Sequence, residues 1–233
     1  MVDQSTKERP QWREWGITMN KVAVVTGASG GLGKCLVQSF ASKGWQVIGT
    51  GRSAQSADVP RGATYKQFDA SDAGAVETFW QELQREHAGA EICLVNNAGG
   101  YVSGSLTATR AEDYNEQMRS SYFTAVYMTR GLAINFPKAR IINIISSSAL
   151  AAHKDNSAYG AAKAAEMHFF QSLQEEFKPA QYQITNLYPT NIATRGPADD
   201  AMLPEDLATF VCEQAENTTS FYLRDVTMYS SNL

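Results

Sequence analysis

Several features are scarce in this sequence, and each shortage excludes a class of function. Among 233 residues there are only three cysteines and three histidines, and the net charge is -4. Cys35, Cys93 and Cys212 lie far apart and lack the spacing of a zinc site or a redox pair. No block of basic residues favours a nucleic-acid partner. No cluster of residues suggests a metal, and no apolar run is long enough to cross a bilayer.

The N-terminal residues differ from the rest of the chain. Residues 1–18 mix charges, Pro10 and two tryptophans, and the regular pattern begins just after Met19 and Asn20. No apolar run follows a basic start, so we expect no secretory signal peptide. Unpaired cysteines suit a reducing compartment, which predicts a cytoplasmic protein. We predict an N-terminal extension over 1–18 and a single domain over 19–233.

Short apolar runs then alternate with longer helical patterns. The runs predict strands near residues 22–25, 45–50, 64–68, 92–95, 140–145, 184–187 and 221–229. The helical patterns cover residues 32–43, 72–87, 111–135, 157–177 and 204–215. Such alternation is typical of βαβ units and predicts an α/β fold with a parallel sheet.

A glycine-rich segment joins the first predicted strand to the first helix. It reads Thr26-Gly27-Ala28-Ser29-Gly30-Gly31-Leu32-Gly33. Glycine permits a tight turn and lets the backbone approach a pyrophosphate, and the helix N-terminus offers free N–H groups to it. The segment therefore predicts a dinucleotide phosphate site, with a plain strand-to-helix turn as the alternative.

The residues after the second strand bear on the choice of cofactor. An acidic residue there would bind the ribose hydroxyls of NAD and repel a 2′-phosphate. The sequence instead has Gly51-Arg52-Ser53, and the planar fork of an arginine can bind a phosphate. This favours NADP(H), with NAD(H) possible. The alternative is that Arg52 is a solvated turn residue.

An acid–base pair is predicted on one helix. Tyr159 and Lys163 are four residues apart and hence lie on the same helical face. A phenol with a pKa of about 10 is a poor acid or base at neutral pH, but a neighbouring ammonium stabilises its phenolate. Tyr159 could then exchange a proton with a carbonyl or alcohol oxygen, while Lys163 could also hold a ribose.

Four motifs together resemble the short-chain dehydrogenases/reductases. They are Thr26-Gly27-x-x-x-Gly31-x-Gly33, Asn96-Asn97-Ala98-Gly99, the serines from Ser146, and Tyr159-x-x-x-Lys163. The resemblance covers about residues 21–215. It implies a doubly wound Rossmann-type sheet with helices on both faces. It also implies a nicotinamide cofactor, hydride exchange between a carbonyl and an alcohol of a small substrate, and association into a homodimer or homotetramer.

The resemblance also implies roles for individual residues. Tyr159 matches the catalytic acid/base, Lys163 its partner, and Ser146 the serine that orients the substrate oxygen. Asp69 matches an aspartate near the adenine, and Asn96 an asparagine that braces the sheet. The implied cofactor-binding residues are Gly27, Ser29, Gly31, Leu32, Gly33, Arg52, Asp69, Asn97, Ala98, Gly99, Tyr159, Lys163, Pro189 and Thr194.

Some residues depart from the family pattern. Ser121 stands where the family usually has an asparagine that supports a proton relay to the lysine. Thr190 replaces the glycine that usually follows the proline of the sixth strand, and the C-terminal tail differs. Tyr101 could cover the nicotinamide or the substrate, and His153 could line the pocket or be solvated.

Two alternatives to a carbonyl reductase remain open at this point. The first resembles dihydropteridine reductase, which the Gly99-Gly100-Tyr101 sequence, Ser121 and the C-terminal strand favour. Arg52 counts against this alternative, because the resemblance implies an enzyme that uses NADH and has an acidic residue near this position. The second is a dinucleotide-binding sensor without turnover, against which the retention of Ser146, Tyr159 and Lys163 counts.

Overall fold

A computed structural model describes residues 20–53, 62–194 and 200–231. The extension predicted over residues 1–18 lies outside the described residues. Seven strands form one parallel sheet in the order β3-β2-β1-β4-β5-β6-β7. They are β1 Lys21–Thr26, β2 Gln46–Gly51, β3 Ala63–Gln67, β4 Glu91–Asn96, β5 Ala139–Ile144, β6 Tyr182–Pro189 and β7 Asp225–Met228.

Within the described residues, six α-helices connect and cover these strands. They are α1 Gly31–Ser42, α2 Ala73–Glu86, α3 Ala111–Met118, α4 Thr124–Asn135, α5 Ser157–Glu176 and α6 Pro204–Ala215. Helices α1 and α6 pack against one face of the sheet, and α2, α4 and α5 pack against the other. The predicted doubly wound α/β fold is therefore confirmed.

Local sequence explains where several elements begin and end. Asp72 caps α2, because its Oδ1 accepts hydrogen bonds from the N–H groups of Gly74 and Ala75 at 2.9 and 3.1 Å. Gly44 follows α1 with a φ of +79°, a conformation that glycine adopts without steric cost. The inner strands β1, β4 and β5 are mostly apolar, because helices cover both faces of the sheet there.

The predicted helix over residues 111–135 is interrupted. Residues Arg119–Phe123 form a π-helical turn between α3 and α4. The Thr124 hydroxyl donates to the Arg119 carbonyl at 3.2 Å, and the Ser120 hydroxyl donates to the Glu116 carbonyl at 2.7 Å. Hydroxyl groups that bond to helix carbonyls disturb the regular backbone pattern, and π turns occur often at functional sites.

A line of buried amides crosses the sheet from β4 to β7. Asn96 donates to Asn143 at 2.9 Å, Asn143 donates to Asn186 at 2.8 Å, and Asn186 donates to Asp225 at 3.1 Å. These residues are direct neighbours in the strand register. Tyr188 donates its hydroxyl to the same Asp225 oxygen at 2.5 Å. We call this line the amide ladder. It gives a partner to one amide N–H group of each asparagine, whereas Asn96 Oδ1 has no hydrogen-bond partner within the described residues.

The last strand is shorter than predicted. The sequence pattern suggests a strand over residues 221–229, whereas β7 covers only Asp225–Met228. Phe221 and Tyr229, at the two ends of the predicted strand, are 66% and 69% exposed. Aromatic residues at an exposed sheet edge thus mimic the composition of a buried strand.

Candidate active site

One cleft of about 1080 Å³ opens at the carboxyl ends of the strands. The strand order reverses between β1 and β4, and ligands of doubly wound sheets bind at such a reversal. Every predicted cofactor-binding residue lines the cleft, and so do Ser146, Tyr101, His153 and Thr190. Ser121 is the one predicted site residue that does not line it.

The start of α1 forms one wall of this cleft. Gly27 has a φ of +65°, in the region that favours glycine, and a Cβ on Gly31 would lie 2.8 Å from the Thr194 carbonyl oxygen. Gly30 precedes the helix without a side-chain cap, and the first turn holds no acidic residue. The first N–H groups of α1 and the positive end of its dipole therefore suit an anion such as a pyrophosphate.

Thr26 ties this wall to the loop that follows β4. Its buried hydroxyl accepts hydrogen bonds from the N–H groups of Asn97 and Ala98 at 3.0 and 2.9 Å. The Asn97 side chain donates in turn to the Thr26 carbonyl at 2.9 Å. The two loops that border the middle of the cleft are thus held together by backbone and side-chain contacts from both strands.

A row of alternating charges lies at the end of the cleft that is next to β2. Arg52 pairs with Glu116 at 2.7 Å, Glu116 pairs with Arg119 at 2.7 Å, and Arg119 pairs with Asp69 at 2.6 Å. Partial burial raises the pKa of Asp69, but hydrogen bonds from Ser71 and the ion pair with Arg119 outweigh it and lower that pKa to about 2. Asp69 is therefore a stable anion that fixes Arg119, while Arg52 remains half exposed at the cleft.

Ser146 and Tyr159 both line the cleft, Ser146 from the segment after β5 and Tyr159 from helix α5. Ser146 follows β5 at the start of a 3₁₀ turn, Ser147–Ala149, where its Oγ accepts from the Ser148 N–H at 3.1 Å. Tyr159 lies in the first turn of α5 and is partly buried. The ring of Tyr101 meets the ring of Tyr159 edge to face at 4.9 Å between centroids, so Tyr101 covers one side of the phenol.

Lys163 lies one helical turn below Tyr159, with its Nζ 6.0 Å from the tyrosine ring centroid. The ammonium donates to the Ile144 carbonyl at 3.2 Å and to the Glu166 carboxylate at 3.1 Å. Burial lowers the pKa of Lys163, but the charge of Glu166 and then the Tyr159 oxygen outweigh it, so the pKa lies above its usual value. Lys163 is thus a fixed positive charge beside the phenol.

Ser121 lies behind Gly99 rather than in the cleft. It is fully buried in the π turn, where its Oγ accepts a hydrogen bond from Gln117 at 2.8 Å. A Cβ on Gly99 would lie 3.2 Å from Ser121 Oγ and 3.5 Å from Lys163 Nζ. The glycine therefore lets the loop after β4 lie close to both groups, and Ser121 does not line the cleft.

Sequence reasoning missed three groups near the site. Glu116 and Arg119 were assigned to an ordinary helix, because ion pairs between distant segments leave no periodic signal. Glu166 was also missed, although its position offered a signal. It is a carboxylate three residues after Lys163 on a helix face that is otherwise buried.

Comparison with known proteins assigns the class. The family model for short chain dehydrogenases matches residues 21–201 of this chain. The chain therefore belongs to the short-chain dehydrogenase/reductase family of oxidoreductases, and the resemblance seen in its motifs is confirmed.

Three individual proteins illustrate how similar this chain is to other proteins. An NADPH-dependent 1-acyldihydroxyacetone phosphate reductase of Schizosaccharomyces pombe is 27% identical over 80% of this chain and 67% of its own length. An NADP-dependent 3-hydroxy acid dehydrogenase of Shigella flexneri is 29% identical over 72% of this chain and 71% of its own. A metagenomic short-chain oxidoreductase solved with NADP has a TM-score of 0.79 at 26% identity, over 90% of this chain and 97% of its own.

Two other features are absent from the residues that the structure describes. No helix there is long and apolar enough to cross a membrane. Histidine, cysteine and acidic side chains in the same ranges form no group that could hold a metal ion.

Proposed function

We propose that this chain is an NADP(H)-dependent oxidoreductase that interconverts a carbonyl and an alcohol on a small organic substrate. One observation carries the proposal: Ser146, Tyr159 and Lys163 come together in the same cleft as the uncapped start of α1. A protein that only binds a dinucleotide has no use for an acid–base pair beside it.

Each residue of the site has a separate role in the proposed reaction. The nicotinamide supplies or accepts the hydride when the cofactor is bound. Tyr159 donates its phenolic proton to the carbonyl oxygen in reduction and removes the proton from the alcohol in oxidation. The Ser146 hydroxyl donates a hydrogen bond to the same oxygen and orients it. The Lys163 ammonium favours the phenolate formed at Tyr159 and binds the ribose.

The preference for NADP(H) rests on Arg52. Its guanidinium lines the cleft at the end of β2, where a 2′-phosphate would lie, and residues 51–53 include no carboxylate. The two relatives named above as NADP-dependent or NADPH-dependent support this choice.

The experiment follows the loss of NADPH absorbance when the protein is mixed with each member of a panel of carbonyl compounds. The panel includes a quinonoid dihydropterin. Tyr159→Phe should abolish turnover and retain NADPH binding, because it removes only the proton that is transferred. Tyr229→Phe is the matched control, since Tyr229 is 69% exposed at the end of β7 and should leave turnover unchanged. NADPH that binds without losing its hydride to any compound would contradict the proposal and favour a sensor.

We also propose that the chain associates into homodimers or homotetramers. The aromatic side chains Tyr122, Phe123, Tyr127 and Phe169 form a group on the π turn, α4 and α5, and Phe123 is 39% exposed. Such a group suits a two-fold interface between copies. Light scattering on the eluting protein would test it, and a monomer at all concentrations would contradict it.

A further inference from the structure

Two opposite charges are buried together at the back of the cleft. The side chains of Lys163 and Glu166 are only 5% and 4% exposed. Lys163 Nζ lies 3.0 Å from Oε1 and 3.1 Å from Oε2 of Glu166, so the ammonium faces the whole carboxylate. A buried charge without a partner is strongly destabilising, so each of these groups depends on the other.

The other neighbours of Lys163 cannot replace this carboxylate. The ammonium has three N–H donors. One donates to the neutral carbonyl of Ile144 at 3.2 Å, and one donates to Glu166. The third is left for the cleft, which Lys163 lines beside Gly99. Because Glu166 and the Ile144 carbonyl hold two N–H groups of Lys163, Glu166 helps to determine the direction of the third N–H group.

The charges of the two side chains are also linked. Burial alone would lower the pKa of Lys163, and the negative charge of Glu166 is the largest of the influences that raise it. Burial raises the pKa of Glu166, and the ammonium offsets only part of that rise. Without the carboxylate, burial would dominate, and the lysine would lose its proton at a much lower pH.

We propose that Glu166 is a positioning residue for the reaction, whose buried carboxylate holds the Lys163 ammonium in place and keeps it charged. The proposal rests on the function proposed above, in which a charged Lys163 favours the phenolate of Tyr159. It extends the acid–base group from the pair of Tyr159 and Lys163 to three residues on successive turns of α5.

The titratable groups near α5 include acidic and basic side chains as well as tyrosines. On the elements packed against α5 they are Glu112, Asp113, Tyr114, Glu116, Arg119, Tyr122, Tyr127, Arg130, Tyr182 and Tyr188. Arg119 is bound to Glu116 and Asp69, and Tyr188 to Asp225. The cleft side adds Tyr101, His153 and Lys154. Glu166 thus provides the carboxylate in direct contact with the ammonium.

The test is the protonation of Lys163 in the full chain without cofactor. Lysine labelled with ¹³C at Cε reports the charge by NMR, and Lys163→Met identifies the resonance. In Glu166→Gln, which keeps the side-chain volume, the midpoint for loss of the Lys163 proton should fall by about 2 or more pH units. Glu176→Gln removes an exposed carboxylate of the same helix and should leave the midpoint unchanged.

A third variant keeps a charge at position 166. Glu166→Asp places the carboxylate at a greater distance and should shift the Lys163 midpoint in the same direction by less. This variant also serves if Glu166→Gln does not fold.

The outcomes separate this proposal from the proposed function. An unchanged Lys163 midpoint in the folded Gln or Asp variant would overturn the role of Glu166. A shifted midpoint in a protein that reduces no carbonyl compound would support the electrostatic role of Glu166 and contradict the proposed enzyme.

Discussion

Replacing Arg52 with glutamine should weaken the binding of NADPH and leave that of NADH nearly unchanged. The guanidinium is 54% exposed at the end of β2 and is the cation that a 2′-phosphate would meet there. It is already paired with Glu116 at 2.7 Å, so the phosphate must share or displace that carboxylate. The contribution of Arg52 to NADPH binding is therefore the free energy of its interaction with the phosphate minus that of its interaction with Glu116.

The magnitude follows from their sizes. Hydrogen bonds between charged groups contribute about 1.5–3 kcal/mol, whereas an exposed ion pair such as Arg52 with Glu116 contributes about 0–1 kcal/mol. The loss in Arg52→Gln should then be about 0.5–3 kcal/mol, or about 2- to 140-fold in the Kd of NADPH. The reverse effect is expected for Glu116→Gln. That variant releases Arg52 and removes a negative charge near the phosphate, so NADPH should bind up to about 5-fold more tightly.

Isothermal titration of both cofactors against each variant measures these effects. Arg130→Gln is the matched control, because it removes an exposed arginine of α4 outside the cleft. Equal weakening of NADPH and NADH in Arg52→Gln would refute the reasoning, because Arg52 would then act through structure rather than through the phosphate. Weaker NADPH binding in Glu116→Gln would refute the competition between carboxylate and phosphate.

Three further predictions concern stability. Gly131→Ala should lower the free energy of unfolding by about 1–2 kcal/mol in urea, since a Cβ would lie 2.9 Å from Nε1 of the fully buried Trp80. That clash outweighs the gain of about 1 kcal/mol that alanine brings to a helix, and a more stable variant would contradict it. Asn143→Leu should lower the same free energy by about 2–4 kcal/mol, because it removes the acceptor of Asn96 and the donor to Asn186 Oδ1, whose side chains then keep only Thr129 and Asp225 as partners. A neutral result would show that the ladder adds nothing. Asp69 has a pKa of about 2 when folded, below its ordinary value of 3.8, so its contribution is complete above about pH 4 and is lost as the pH falls towards 2. Asp69→Asn should therefore show a shallower loss of stability than wild type between pH 4 and 2 in urea titrations, and parallel curves would contradict the assignment.

The inner strands of the sheet could be predicted from the sequence because they are buried on both faces. Runs such as Val22 to Val25 have no polar interruption, and the glycines after them mark the turn into α1. The helix over Pro204–Ala215 was predicted with its observed bounds, because a proline marks its start and apolar residues recur along it.

The remaining features depend on contacts between distant segments. The π turn at Arg119–Phe123 depends on hydroxyl groups that bond to helix carbonyls, and a periodic pattern does not reveal which serines and threonines do so. The pairs of Arg119 with Asp69 and of Arg52 with Glu116 join residues 50 and 64 positions apart. The residues of the cleft could be named in advance because the motifs of the family identify them, whereas the groups that hold those residues in place could not.

The amide ladder has a mechanical consequence for the cleft. The loops that carry Asn97, Ser146 and Thr190 leave β4, β5 and β6, and the ladder joins these three strands side by side. Sliding of one strand along the next would separate at least one pair of buried amides, at a cost of about 1–3 kcal/mol for each stranded group. The floor of the cleft therefore resists shear, and we expect any movement that opens or closes the cleft to take place in the loops above it.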